Sequence, residues 1–379
     1  MQRKIGGRGR VSRRQFMKNT TALAGTAAVG LAMPQIARAQ SGQTVNLLSW
    51  PGHGAQDVIG PFEEATGITV QAKEYTGGEE MIALLQSSPP GTFDVVLSDA
   101  EYIHQLQQAG LIDELDPGDY PLEDYWPEFQ KFPSHWVDDK LYSVMVDYGF
   151  LGMVYNTAKL SREEVDSYAV MWESKVEGKV GMYDWYLPNM MCLSLYEGNR
   201  PPHDISDEKF EAVKQSLFSL SKQMSGIGVW SSVFSQLTNE ESWVMPGVGA
   251  WAALLLENDG VPIKAVVPKE GGLQWTESLS IPSSSQKKDL AVKLIQYLTS
   301  PEGQVREATK SAYWASIPNK EGWKLLNETM PEAAERLEHT FDKRNVMDEF
   351  KDGKIHIRGV PAQQDIEDWN EAWTEFKNM

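Results

Sequence analysis

From Thr44 onward the chain repeats one order: a short apolar run, a loop, a helix-period segment, and then an apolar run again. Val45-Asn46-Leu47-Leu48-Ser49-Trp50 reads as a strand, broken by Pro51-Gly52-His53-Gly54. A helix through Val58, Ile59, Phe62 and Ala65 closes at Gly67, a C-terminal stop of the usual kind. Ile68 to Ala72 forms a second strand, Glu79 to Gln86 a helix, Phe93 to Leu97 a third and buried strand, and Tyr102 to Ala109 a helix stopped by Gly110. This βαβα order predicts a mostly parallel sheet with helices on both faces. The alternation returns around Gly178–Tyr183, from Leu195 onward, and at Val261–Val267. Asp289–Leu298, Glu332–Phe341 and Asp365–Phe376 read as helices. With 379 residues there is material for two domains. Two α/β lobes joined by strand-like crossings fit this pattern better than one oversized sheet.

The first 39 residues obey a different logic. They hold eight Lys/Arg and no acid, followed by a Gly/Ala/Leu-rich run from Thr20 to Met33 and then Ala37-Arg38-Ala39. Basic head, apolar middle and an A-x-A site are the parts of a cleaved export signal. The apolar run is too short to hold the chain in a bilayer. Ser12-Arg13-Arg14-Gln15-Phe16-Met17-Lys18 resembles the twin-arginine signature, which implies export of a folded protein by the twin-arginine translocase to the periplasm.

Charge then narrows the partners. The whole chain carries 35 Lys+Arg against 53 Asp+Glu, a formal net charge of −18. Without residues 1–39 the balance is 27 against 53, or −26. Nucleic acid and anionic lipid both need basic stripes, so neither is expected as a partner. A body this acidic favours cationic small molecules; a saline habitat gives the same composition. Cys192 stands alone, which excludes an intrachain disulfide framework, and its apolar setting in Met190-Met191-Cys192-Leu193 reads as a buried small side chain. The six histidines show no metal-ligand spacing, and Pro246-Gly247-Val248-Gly249 lacks a phosphate-binding frame, so no metal, cofactor or catalytic group is expected. Glu63/Glu64, Glu79/Glu80 and Glu163/Glu164 read as solvated helix faces. An exported hydrolase is the distant alternative on these grounds.

In α/β sheets ligands sit beyond the carboxyl ends of strands. Four such places stand out: Trp50-Pro51-Gly52-His53, Ser98-Asp99-Ala100-Glu101, Tyr183-Asp184-Trp185 and Trp275-Thr276-Glu277. Any single Trp can be explained as core filling. Aromatic faces beside carboxylates at several strand ends together describe a pocket for a small organic cation.

Longer strings resemble a family. Phe62-Glu63-Glu64-Ala65-Thr66-Gly67-Ile68-Thr69-Val70, Phe93-Asp94-Val95-Val96 with Ser98, Ala109 to Asp116, Tyr142-Ser143-Val144 with Gly149 and Asn156, and Trp172 to Val180 occur in the order seen in bacterial ABC-transporter solute-binding proteins. Val267-Pro268-Lys269-Glu270-Gly271-Gly272 with Trp275, then Ser278-Leu279-Ser280-Ile281-Pro282, resembles the spermidine/putrescine receptors. The resemblance covers essentially the whole exported chain. It implies a two-lobed periplasmic-binding-protein fold of type II, with crossings near Asp147–Gly149, Leu273–Trp275 and Ile317–Asn319. Lobe 1 would comprise residues 44–148 and 275–318, and lobe 2 residues 149–274 and 319–379. It further implies a receptor, not an enzyme, that closes on a ligand and delivers it to an inner-membrane ABC permease.

Carried over residue by residue, the resemblance names Trp50, His53, Ser98, Asp99, Glu101, Asp184, Trp185, Trp251, Trp275, Glu277 and Tyr313 as ligand-binding. Trp275 and Glu277 would hold the aliphatic chain and one ammonium of a polyamine. The carboxylates that grip the other amine in that family fall on Trp185 and Pro188, leaving Asp184 as the surviving acid. The expected ligand is a small organic cation, first a spermidine- or putrescine-like polyamine, with acids at both ends of an aromatic box; the alternative is a zwitterionic amino-acid derivative or betaine, with one aromatic cage and a cationic or amide anchor for its carboxylate.

Overall fold

The structure, a computed structural model, describes residues 43–337 and 351–379. The export segment with Arg13, Arg14, Ala37 and Ala39, and the end of the helix expected over Glu332–Phe341, lie outside those residues.

The first elements follow the sequence pattern: β1 (Gln43–Ser49), α1 (Gln56–Thr66), β2 (Ile68–Glu74), α2 (Gly78–Ser87), β3 (Val95–Asp99) and α3 (Ile103–Gln108). α1 buries Val58, Ile59 and Phe62 and ends on Gly67 at φ 72°, a left-handed turn that costs glycine least. β1 lies between β2 and β3, parallel to both. α4 (Pro127–Gln130) and a small hairpin of β4 (Trp136–Val137) and β5 (Lys140–Leu141) lead into β6 (Val144–Asn156). The second group is β7 (Val180–Tyr183), α5 (Tyr186–Tyr196), α6 (Asp207–Ser219), β8 (Met224–Gly228), α7 (Trp230–Thr238), β9 (Val244–Gly249), α8 (Ala250–Asn258) and β10 (Ile263–Val266). β11 (Gly272–Ser280) returns to the first lobe, followed by α9 (Lys288–Thr299), α10 (Pro301–Ala308), α11 (Lys320–Thr329) and α12 (Pro331–Arg336). β12 (Ile355–Ile357) and α13 (Ile366–Lys377) end the chain.

β6 organises the molecule. Its sequence, VMVDYGFLGMVYN, has apolar side chains toward both faces, and every residue of it is buried. A strand of that kind needs cover on both sides. Its first part pairs with β11 and its second part with β9 and β10, all antiparallel. β11, equally buried along its length, joins β3 at one edge. The parallel ladders expected from the βαβα order hold among β2-β1-β3 and β9-β7-β8, while the crossing strands enter antiparallel.

Three expectations change. Two separate sheets were anticipated, yet one ladder runs β2-β1-β3-β11-β6-β9-β7-β8, because the crossings are themselves strands and carry hydrogen bonding from lobe to lobe. The change of lobe expected at Ile317–Asn319 is displaced. Pro318 accepts from the Trp126 amide, Asn319 bridges Tyr125, and α11 packs on α10, so this stretch stays with the first lobe. α12 reaches α8 through Arg336–Asn258 at 2.9 Å, and α13 packs on α5 and α6. Residues 319–379 are therefore shared between lobes rather than belonging to the second alone. Third, Glu163 and Glu164 sit in turns, not on a helix.

The lobes meet. Tyr186 on α5 donates to Glu79 on α2 at 2.7 Å, and Tyr102 also donates to that carboxylate, so Glu79 is a bridge between lobes rather than only a solvated face.

Candidate functional site

The space between the lobes is a cavity of about 500 Å³ including its mouth. β1 delivers Trp50 from its carboxyl end, β3 delivers Asp99, and β7 ends on Tyr183 just before Trp185. Trp251 comes from the first turn of α8, and Tyr313 from the segment after α10. Trp275 and Glu277 line it from inside β11 rather than from a strand end, as the sequence pattern had suggested. They reach the same face because side chains two apart on a strand point the same way. Gly149 makes room opposite: a Cβ there would lie 2.6 Å from the Trp275 ring.

Aromatic rings encircle the cavity in series. Centroids lie 6.1 Å apart for Trp275–Tyr313, 6.4 Å for Tyr313–Trp251, 6.4 Å for Trp251–Tyr183, 6.3 Å for Tyr183–Trp185 and 5.7 Å for Trp185–Trp50. Interplanar angles from 50° to 83° mean that edges meet faces around the ring. The indole N–H groups of Trp185 and Trp275 are buried with no hydrogen-bond partner among the described residues.

Two carboxylates reach the cavity, and both already have partners. Asp99 accepts from Trp50 Nε1 at 3.0 Å and from Arg358 Nη2. Arg358 Nε also donates to Glu101 at 2.5 Å, and its guanidinium lies 4.7 Å over the Trp185 ring. Burial pushes Asp99 up to about 8 against the pull of Arg358, and it raises Glu101 as well. Glu277 accepts from Tyr313 at 2.7 Å and lies 2.9 Å from His53 Nε2. His53 Nδ1 is 2.9 Å from Glu307, off the hydrogen-bond line, an ion pair by distance alone. Burial disfavours a charged His53, but Glu307 and Glu277 outweigh it and raise the imidazole to about 10. Burial likewise disfavours a charged Glu277, yet His53 and Lys310 bring it down to about 2. Lys310 is fully buried, 2.5 Å from Asp147 and 3.9 Å over the Tyr313 ring. His53, Asp147 and Glu277 bring ligand atoms within 4.8 Å of one another, and Lys310 is paired with one of them, Asp147.

Of the residues expected from sequence, Trp50, Asp99, Trp185, Trp251, Trp275, Glu277 and Tyr313 line the cavity. His53 and Glu101 lie one layer behind, each holding a lining group. Ser98 is buried beside Asp99, opposite Ser278. Asp184 is separate: its carboxylate takes Trp373 Nε1 at 2.9 Å and Lys377 at 2.8 Å at the C-terminal helix, and it does not line the cavity. Trp185 and Pro188, standing where the polyamine receptors have acids, do line it. Sequence reasoning pointed to Tyr183 within a strand-end cluster but missed Arg358 and Trp230. Arg358 follows a three-residue strand and has no motif around it; the one signal was a basic residue after the alternating Ile355-His356-Ile357.

Residues 57–325 match the profile of the bacterial extracellular solute-binding proteins. The chain belongs to that family. The spermidine/putrescine-binding periplasmic protein of Salmonella typhimurium is 25% identical over 312 residues, covering 82% of this chain and 86% of that one. The spermidine/putrescine ABC transporter substrate-binding protein of Streptococcus pneumoniae superposes with a TM-score of 0.70 at 19% identity, covering 89% and 99% of the two chains. A GABA receptor superposes with a TM-score of 0.65 at 21% identity, covering 88% and 98%. The protein is thus a solute-binding component of an ABC transporter, from a family of receptors rather than enzymes. Among the described residues, no helix is long and apolar enough to cross a membrane.

Proposed function

We propose that this receptor captures a small zwitterion, carrying a carboxylate and a positively charged nitrogen, and hands it to its permease in the periplasm. The observation that carries the reading is Arg358. A diamine needs free acid at both ends of its site, but the protein's own guanidinium already lies against Asp99 and Glu101. A carboxylate finds in the same place what it needs: a cation, together with the unpartnered indole donor of Trp185. The positive end would lie among Trp251, Trp275 and Tyr313, near Glu277.

A polyamine is the second reading, favoured by relatives that are named as spermidine/putrescine-binding proteins. Calorimetric titration of the purified protein with γ-aminobutyrate, glycine betaine, putrescine and spermidine separates the two. The zwitterion reading expects binding of at least one carboxylate ligand and weaker binding of the diamines. Binding of putrescine or spermidine alone would overturn it. Export through the twin-arginine translocase rests on Ser12–Lys18. Replacing Arg13 and Arg14 together by Lys should keep the protein in the cytoplasm, and normal periplasmic accumulation would assign the general route.

A further inference from the structure

Resting on the zwitterion reading, we infer that the cavity selects a quaternary ammonium, a nitrogen without N–H groups, over a primary one. The geometry that points there is a ring of aromatic faces around acids whose charge is already spoken for.

A buried primary ammonium brings three donors, each needing an acceptor. Among the described residues, Asp99 and Glu277 alone offer carboxylate oxygen to the cavity, and each takes two contacts from the protein: Trp50 and Arg358 on Asp99, His53 and Tyr313 on Glu277. Charge gives the same answer. Around the cavity stand five carboxyls, Asp99, Glu101, Asp147, Glu277 and Glu307, against three cations, His53, Lys310 and Arg358. Each of these acids already faces a protein cation: Arg358 lies on Asp99 and Glu101, His53 on Glu277 and Glu307, and Lys310 on Asp147. Little net field is left to repay the desolvation of a compact, strongly hydrated ammonium.

A trimethylated nitrogen makes different demands. Its charge is spread over methyl groups, it carries no donor to satisfy, and its surface is apolar. It is attracted by the negative faces of aromatic rings, an interaction worth about 0.5–2 kcal/mol per ring depending on desolvation. Trp251, Trp275 and Tyr313 stand at 70° to 83° to one another in consecutive pairs, so they form walls rather than a stack. Such walls enclose a roughly spherical cation.

The test uses matched ligands on the unaltered protein: γ-aminobutyrate against its N,N,N-trimethyl derivative, and glycine against glycine betaine, by calorimetry. The trimethyl member of at least one pair should bind tenfold or more tightly than its amine. Equal or tighter binding of the primary amines would overturn the quaternary selection while leaving the zwitterion reading intact. Binding of putrescine with no zwitterion bound would overturn both. Trp251→Leu gives a second readout: it should weaken the trimethyl ligand at least tenfold and the primary amine by less. Equal losses for both would count against the aromatic cage.

Discussion

Two acidic groups face the cleft, and the protein neutralises them by different routes. Glu277 is met by His53, Tyr313 and Lys310, side chains from the β1 loop and from around α10, all set in the first lobe beside the crossing strands. Asp99 and Glu101 are met by Arg358, which arrives from beyond β12 after about 257 residues of intervening chain. The first arrangement lies within one lobe and is part of its foundation. The second joins the C-terminal segment, whose helix α13 packs on the second lobe, to β3 of the first, so it spans the two lobes. The comparison separates a cluster set within one lobe from one that spans both, and only the second is proposed to choose the ligand.

The largest expected effect breaks the foundation. His53→Ala leaves Glu277 and Glu307 buried with one cation fewer, and removing one partner from a buried ion cluster costs about 3–5 kcal/mol. Chemical denaturation without ligand should show this loss; a change below about 1 kcal/mol would mean that the cluster is not electrostatically coupled as described. Glu277→Gln should also lower unliganded stability, because His53 then loses a carboxylate. An effect on affinity alone would place Glu277 with Asp99 as a ligand-choosing group.

The pH profile sharpens the same point. His53 is raised from 6.5 to about 10, so its stabilisation is complete below pH 6.5 and is lost as pH climbs toward 10. Asp99, raised from 3.8 to about 8, adds loss in the same direction between those values. Glu277, lowered from 4.5 to about 2, loses its contribution as pH falls from 4.5 toward 2. Unliganded melting temperature should therefore be highest in mildly acidic buffer and fall steadily to pH 10. A profile rising between pH 6.5 and 10 would contradict the charged assignment of His53.

Smaller effects belong to the contacts that close the cleft. Trp275→Ala should weaken ligand by roughly the 0.5–2 kcal/mol of one cation–π contact, beyond any change in unliganded melting. Tyr186→Phe removes the hydrogen bond to Glu79 between lobes, worth about 0.5–1.5 kcal/mol. It should weaken ligand binding only slightly and leave the unliganded lobes as stable as before.

Much of this was legible in the chain. Period and punctuation located the strands and helices around Trp50 and Asp99 and the strand before Trp185, because a buried strand needs a run of apolar residues and Gly67 must follow a helix it terminates. Trp275 and Glu277 were found through a resemblance, though as a strand end; the continuity of β11 through the cleft is a tertiary fact, fixed by pairing with β6 and β3 at once. Asp184 misled because neighbours in sequence diverge at the start of α5. Trp185 turns to the cleft, and Asp184 to Trp373 and Lys377. Arg358 was invisible because nothing local demands it. Its meaning lies entirely in the two acids it meets, and only folding brings them together.

The central claim is that Arg358 turns an acidic seat into a carboxylate seat. Its most direct test is calorimetric titration of Arg358→Gln beside the unaltered protein, with a zwitterion that the latter binds and with putrescine. The account predicts an inversion: the zwitterion loses the roughly 1.5–3 kcal/mol of a charge-assisted contact, tenfold or more in affinity, while putrescine gains because Asp99 and Glu101 are freed. Zwitterion affinity unchanged in Arg358→Gln, with no gain for putrescine, would contradict it.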